Sequence, residues 1–393
     1  MTKNRYQMKF GEALFCLGYT IFIVTSLLDL TGVSYIIGSS PKEPTALNSV
    51  IRYLRYFSYI ILLTKIVCTA KRKKILFFVF PLVFALFALS YYYSTNIELL
   101  FYLLIIVSAE KIDSKKIFKI IMYSQIIILT MTVLLSSMGI LYDLVIDPGY
   151  RDRHYLGFLY TTTSADLLFF IILEYIYLHE GIMKRTATVV FFMGTVALMI
   201  LTDTRLTFLL SIITIVYFGF FYKRRTKKRL FPEAERFLLL VPSLICTSSL
   251  MMYIGFSPAS MGWRAVDKLL SYRFTYSYRA IMEYGFKLFG QPIEFISQYN
   301  FVDSSYLQIA LEFGIIAIAI VVCIYTVVIR RAIKLNKKYL IDILLLVMLL
   351  SVTQTRLFTF SYNAFPLLLY SIIDGQSENQ SYRRLKMKEA ISA

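Results

Sequence analysis

The sequence predicts an all-α polytopic membrane protein with about 12 transmembrane helices and one large extracytoplasmic loop. Three observations predict it. Apolar residues fill 58% of the 393 positions and fall in blocks near the roughly 20 residues a bilayer core requires. Lys and Arg concentrate in short segments between alternate blocks, as topology signals do. No polar stretch is long enough to enclose a core of its own. Residues 1–373 therefore read as a single helical membrane domain and 374–393 as a short cytoplasmic tail.

The blocks place the spans at 11–30, 49–68, 75–93, 97–109, 117–142, 163–180, 187–201, 206–222, 236–254, 305–329, 339–354 and 357–373. Lys3, Arg5 and Lys9 precede the first block as in a signal peptide. No small-x-small cleavage site follows, so that block reads as a retained span. The fourth is short and fits a tilted helix or a locally thinned bilayer. The apolar run from Ala187 to Tyr222 is too long for one span, and its natural break is the polar turn Thr202-Asp203-Thr204-Arg205. A similar turn, Thr353-Gln354-Thr355-Arg356, precedes the last block. Cys16, Cys68, Cys246 and Cys323 lie far apart within apolar segments and read as small core residues.

Segments 1–10, 71–74, 111–119, 184–185, 223–236, 330–338 and 383–388 hold 29 of the 42 basic residues. The positive-inside rule places these loops and both termini in the cytoplasm, and the Ile, Lys, Phe and Tyr bias points to an AT-rich bacterial genome and so to a bacterial cell membrane. That distribution also argues against nucleic acid as the reason for a net charge of +18. The other 13 basic residues differ in kind: Lys42, Lys65, Lys268 and Lys287 against Arg52, Arg55, Arg151, Arg153, Arg205, Arg264, Arg273, Arg279 and Arg356. The guanidinium fork suits bidentate contacts to phosphate, whereas lysine suffices as a topology marker. An arginine-rich outer face points to a phosphate-bearing ligand. Pairing with Asp143, Asp147, Asp152, Asp203, Asp267 or Glu283 is the alternative for any single arginine.

The largest outer loop runs from about 255 to 304 and contains Trp263 and the Tyr-rich segment 271–279. Residues 264–288 have helix-compatible composition, and Gly290-Gln291-Pro292 ends the pattern. So many aromatic residues predict a structured lid rather than a solvated linker. The second sizeable outer loop, 143–162, carries Arg151, Arg153 and His154. No phosphate-binding loop of the Gly-rich Lys-Ser/Thr kind occurs, only two histidines are present, and the outer loops lack a close acidic pair for a divalent ion. Chemistry here is expected to need no metal and no cofactor, with arginine as the charge stabiliser.

Four segments then carry a resemblance. Thr202-Asp203-Thr204-Arg205 before an apolar span resembles the Ser-x-Ser-Arg element of the O-antigen ligase and Wzy polymerase superfamily. Arg273 with the segment ending Leu288-Phe289-Gly290 resembles that family's Arg…Leu-Phe-Gly loop. Asp303-Ser304-Ser305-Tyr306-Leu307-Gln308, then Leu311-Glu312-Phe313-Gly314-Ile315-Ile316, is similar to its His-Asn-x-x-Leu-Gln…Glu-x-Gly-Ile-Ile element. Arg151…Leu156-Gly157-Phe158 resembles its approach to the sixth span. The matches cover roughly residues 150–320, in the family's order.

The resemblance implies a GT-C-like membrane glycosyltransferase that uses a polyprenyl-diphosphate-linked oligosaccharide as donor on the outer face. A polymerase passes the growing chain to the next lipid-linked repeat unit and makes capsule, exopolysaccharide or O-antigen. A ligase passes it to lipid A core. Flippase and chain-length regulator proteins would be companions. Arg205 and Arg273 are then expected on the diphosphate, with Arg151, Arg153, His154, Arg279 and Arg356 as further substrate contacts. Asp303 stands where the ligase pattern has His. It is a candidate general base, or a sugar-orienting group, or a helix N-cap. Asp166, Glu174 and Glu312 lie within predicted spans and either line a cavity or bond a neighbouring helix. The rival class is a flippase for the same lipid-linked units, which should show two related halves, and no internal repeat is visible.

Overall fold

The structure is a computed structural model, and it describes residues 2–35, 46–69, 74–146, 152–222, 232–270, 272–293 and 302–371. Helices dominate it: α1 (Thr2–Leu28), α2 (Ala46–Thr69), α3 (Lys74–Ser94), α4 (Glu98–Ser108), α5 (Ser114–Ser137), α6 (Thr163–Leu178), α7 (Arg185–Thr202) and α8 (Arg205–Val216). There follow α9 (Pro232–Ile254), α10 (Met261–Leu269), α11 (Arg273–Tyr284), α12 (Ser305–Gln308), α13 (Ile315–Lys334) and α14 (Lys338–Leu350). The described strands are β1 (Val145–Ile146) and β2 (Arg153–His154), a small antiparallel ribbon in the 143–162 loop.

Five helices are long and apolar enough to cross a membrane: Lys9–Leu28, Ser114–Ser137, Arg185–Thr202, Glu233–Ile254 and Ile315–Lys334. Their burial pattern supports that solvent. In α7 the buried residues are Thr188, Thr195 and Thr202, spaced by seven, while Val190, Met193 and Ile200 are more than 60% exposed. A helix in water turns its apolar stripe inward. A helix with hydroxyls inward and aliphatic side chains outward is built for lipid.

The chain divides into two compact units: 1–69, 104–211 and 367–393, and then 70–103 with 212–366. In the first unit, α1 packs on α2 and α5, and α5 packs on α6. Its polar contacts sort the loops into two ends. At one, Lys116 pairs with Glu12, Lys115 Nζ lies 3.0 Å from Glu180, and Lys65 Nζ donates to the Glu110 carbonyl at 2.8 Å. At the other, Arg55 pairs with Asp29, Gly32 N–H donates to the Gly157 carbonyl at 2.7 Å, and Arg153 Nε donates to the Thr202 carbonyl at 3.1 Å. This grouping is the one the basic loops predict. Lys65 is the exception. It belongs to the basic end, so its removal from the outer set leaves that set still richer in arginine.

Five of the twelve predicted spans contain the membrane-length helices, and two of the twelve are not continuous helices at all. The tenth, 305–329, is interrupted: α12 runs into a π-helical turn, Ile309–Phe313, and the chain breaks at Gly314 before α13. The twelfth, 357–373, is no α-helix over its described residues. After α14 the chain forms turns and one short 3₁₀ helix, Phe365–Leu369. Asn363 explains the difference. Its Nδ2, with two protons, lies within hydrogen-bond reach of the carbonyls of Leu357 (2.7 Å) and Arg356 (3.2 Å) and of the Tyr325 hydroxyl (2.7 Å), and its Oδ1 accepts from Phe365 N–H at 3.1 Å. One amide thus satisfies backbone groups that a helix would pair internally. Phe360, Tyr362, Ala364, Phe365, Leu367 and Leu368 are fully buried. The segment is apolar because protein surrounds it, the setting in which irregular backbone is tolerated at membrane depth.

Candidate functional site

The second unit gathers Arg273, Asp303 and the 351–357 turn. Asp267, 2% exposed, accepts the backbone N–H groups of Phe274 (2.8 Å) and Thr275 (3.3 Å), so it caps α11 from the preceding helix. That cap fixes Arg273 at the first helical position. Tyr253, Phe256, Trp263, Phe274 and Tyr278 pack edge-on or stacked beneath it and hold α10 and α11 against α9. Residues 255–270 and 272–293 of the large loop are therefore structured, as its aromatic content predicts.

Arg273 Nε lies 3.2 Å from Asp303 Oδ2, and its Nη1 donates to the Thr353 carbonyl. Its Nη2 bonds no described residue, which leaves one edge of the fork for an anion. Asp303 is not the helix cap. Ser304 takes that role, its hydroxyl accepting from Leu307 N–H at 3.4 Å. The Asp303 carboxylate is thereby released for its contact with Arg273. Ser305 Oγ donates to the Gln354 carbonyl at 2.7 Å and accepts from Leu357 N–H at 2.9 Å. Tyr253 OH donates to the Val352 carbonyl at 3.0 Å. These bonds clamp the turn that carries Arg356, whose guanidinium sits 4.0 Å from the Tyr362 ring centroid. Arg273 and Asp303 are partly exposed, at 19% and 35% of their side chains. The arrangement offers a carboxylate beside a guanidinium, which in turn holds the turn that carries a second guanidinium, Arg356.

Two of the motif glycines have a structural reason. Residues 287–291 cross the break at 312–316 backbone to backbone. Gln291 N–H donates to the Glu312 carbonyl (3.0 Å), Ile315 N–H to Lys287 (3.1 Å) and Ile316 N–H to Leu288 (3.2 Å). A Cβ on Gly290 would lie 2.1 Å from the Glu312 carbonyl oxygen, and one on Gly314 2.4 Å from Gly290 N. Ser90 Oγ donates to the Phe313 carbonyl at 2.9 Å, so the broken helix keeps its acceptors paired. Glu312 bonds neighbours: it accepts from Asn96 Nδ2 at 2.7 Å and Gln308 Nε2 at 3.3 Å.

Arg205, Arg153 and His154 belong to the first unit. Arg205 forks onto Asp203 of its own turn, Nε to Oδ1 3.3 Å and Nη2 to Oδ2 3.2 Å, with Asp203 in the left-handed conformation at φ 50°. Arg153 braces the same turn and also donates to Thr161 Oγ1 at 3.0 Å. His154 Nδ1 is 2.6 Å from Asp143 Oδ2, and Asp143 Oδ1 accepts from Leu156 N–H at 2.7 Å. Asp143 therefore organises this loop, and His154 is one of its two partners. Asp143→Ala is expected to lower stability by about 1–3 kcal/mol and His154→Ala by less, as melting in detergent would report. Burial pushes the nearby Tyr155 hydroxyl above its usual range, against the pull of Arg153. Asp166 accepts from Thr207 Oγ1 at 2.9 Å.

Arg279 is not among the residues around Asp303. It lines a separate open cleft of about 580 Å³ with Arg264, Lys268, Tyr272 and Tyr276. Arg151 lies outside the described residues. Sequence reasoning missed Ser304, Tyr253, Tyr362 and Asn363. Only Asn363, a lone amide inside an apolar run, left a visible signal. Among the described residues no group of His, Cys, Asp and Glu is placed to hold a metal ion. No protein-family model, curated protein or solved structure matches the chain.

Proposed function

We propose that the chain is a GT-C-like membrane glycosyltransferase with about 12 membrane passages, the last of them non-helical, that polymerises polyprenyl-diphosphate-linked oligosaccharide repeat units on the outer face. The observation that carries the reading is the Arg273–Asp303 contact at 3.2 Å. The two residues come from separate segments, each of which resembles an element of the polymerase and ligase superfamily. In this reading an acceptor sugar hydroxyl attacks the anomeric carbon of the donor. The bond from that carbon to the diphosphate oxygen breaks, and Asp303 takes the hydroxyl proton. Arg273 and Arg356 stabilise charge gathering on the departing polyprenyl diphosphate.

The class is tested in a strain whose native copy is replaced by Asp303→Asn. Single lipid-linked repeat units should accumulate outside the membrane while long polymer disappears. Units trapped on the cytoplasmic side would support a flippase instead, and polymer of unchanged length at normal protein level would sink the reading. Topology has its own check. In a cysteine-free background, Arg279→Cys should react with a membrane-impermeant maleimide in intact cells. Lys334→Cys should react only after lysis, and the reverse pattern would invert the assignment.

A further inference from the structure

Three helices of the first unit meet around a carboxylate that the proposed chemistry does not use. Glu174 lies near the inner third of α6, is 0% exposed, and neither of its oxygens has a hydrogen-bond partner in the structure. Of the other acidic groups well inside predicted spans, Asp166 is answered by Thr207, Glu312 by Asn96 and Gln308, and Asp342 by Tyr217. Tyr19 of α1 is also 0% exposed, its hydroxyl has no partner, and it lies within electrostatic range of Glu174. The register brings the two to within about one or two turns of each other. Lys116 meets Glu12, and Tyr177 OH donates to Ser114 Oγ at 2.8 Å, so α1, α5 and α6 are level at the basic end. Tyr19 is about two turns along α1 from Glu12, and Glu174 about one turn back along α6 from Tyr177. Gln125 of α5 is buried on the same helix trio.

Among the described residues of α1, α5, α6 and α7, no charged side chain is placed to neutralise Glu174. Between Glu12 and Asp29, α1 has none; α5 has none beyond Lys119, and α7 has none between Arg185 and Asp203. On α6 itself the other titratable residues are Asp166, bonded by Thr207, Tyr175, and Tyr177, whose hydroxyl donates to Ser114; just past its end, His179 Nδ1 lies 2.9 Å from the Tyr175 carbonyl. An ionised carboxylate buried without a partner costs several kcal/mol, so a cation must accompany it. We propose that Glu174 and the Tyr19 hydroxyl form a binding site for a monovalent cation, a proton or a sodium ion, inside the first unit. The site is independent of the transferase reading, and either can fail alone.

The full chain in detergent is treated with dicyclohexylcarbodiimide, an apolar reagent for protonated carboxyls, and modified positions are read by mass spectrometry. Glu174 should be modified roughly tenfold more than the exposed Glu233. Suppression by sodium at constant pH identifies a sodium ion. Indifference to sodium, with labelling that falls as pH rises, identifies a proton. Melting gives a second readout: wild type should respond to sodium or pH, and Glu174→Gln should remove that response. Tyr19→Phe should weaken the sodium or pH dependence severalfold. Glu174 labelling no greater than that of Glu233, together with identical melting responses of wild type and Glu174→Gln, overturns the proposal.

Discussion

Replacing Gly314 by alanine is expected to remove the folded protein from the membrane. At φ +95° the position suits glycine alone, and the added Cβ would sit 2.4 Å from both Gly290 N and the Leu288 carbonyl oxygen. Those are backbone atoms, so no side chain can swing away. Strain at such a position costs about 1–3 kcal/mol. Moving the two segments apart also endangers three backbone hydrogen bonds, at about 1 kcal/mol each. A loss on the order of 5 kcal/mol is comparable to the stability of an ordinary domain. Gly290→Ala should do the same from the other side of the crossing. Gly194→Ala is the control. It lies mid-helix in α7 with only Leu168 Cδ2 at 3.4 Å, and alanine there should be neutral or stabilising by up to about 1 kcal/mol. Protein level in membranes and melting in detergent decide it. A Gly314→Ala protein as stable as Gly194→Ala would show that the crossing is not tight.

Much of this architecture was legible because lipid imposes simple rules on sequence. The Thr202–Arg205 turn is found where the uninterrupted apolar run had to break, with α7 ending at Thr202 and α8 starting at Arg205. Basic loops foretold which ends of the first unit lie together, since lysine and arginine mark sides rather than contacts. What hydropathy cannot distinguish is lipid from protein as the apolar surroundings. Residues 357–371 are as apolar as a span, yet Asn363 and the surrounding burial hold them as irregular chain. Gly314 posed the same difficulty. Its apolar neighbours read as one helix, and the need for the break comes from 287–291, some 25 residues upstream. The Arg273–Asp303 contact joins residues 30 apart in sequence, and spacing alone carries no sign of it. Ser304 rather than Asp303 caps α12, a choice between adjacent capping residues that only backbone geometry makes.

Arg273→Lys and Asp303→Asn should each cost far more in turnover than in stability. The pair is partly exposed, and ion pairs of that kind contribute about 0–1 kcal/mol to folding. Melting should therefore change little. If Asp303 accepts the acceptor proton, Asp303→Asn should lower polymerisation of a lipid-linked repeat unit by about 10²–10⁴-fold. If Arg273 stabilises the departing diphosphate, lysine keeps the charge but loses the fork, and the loss should be about 10²–10³-fold. The double variant distinguishes a working pair from two independent contributors. Groups that act as a unit fail together, so the double variant should resemble the worse single one rather than multiply the two losses. The competing idea is a structural brace, because Arg273 also holds the Thr353 carbonyl. A brace predicts that activity falls in step with melting temperature, and that exchanging the two charges, Arg273→Asp with Asp303→Arg, restores both. Restored polymer length in the exchanged protein would end the catalytic assignment of this pair, because a carboxylate and a guanidinium cannot trade chemical roles.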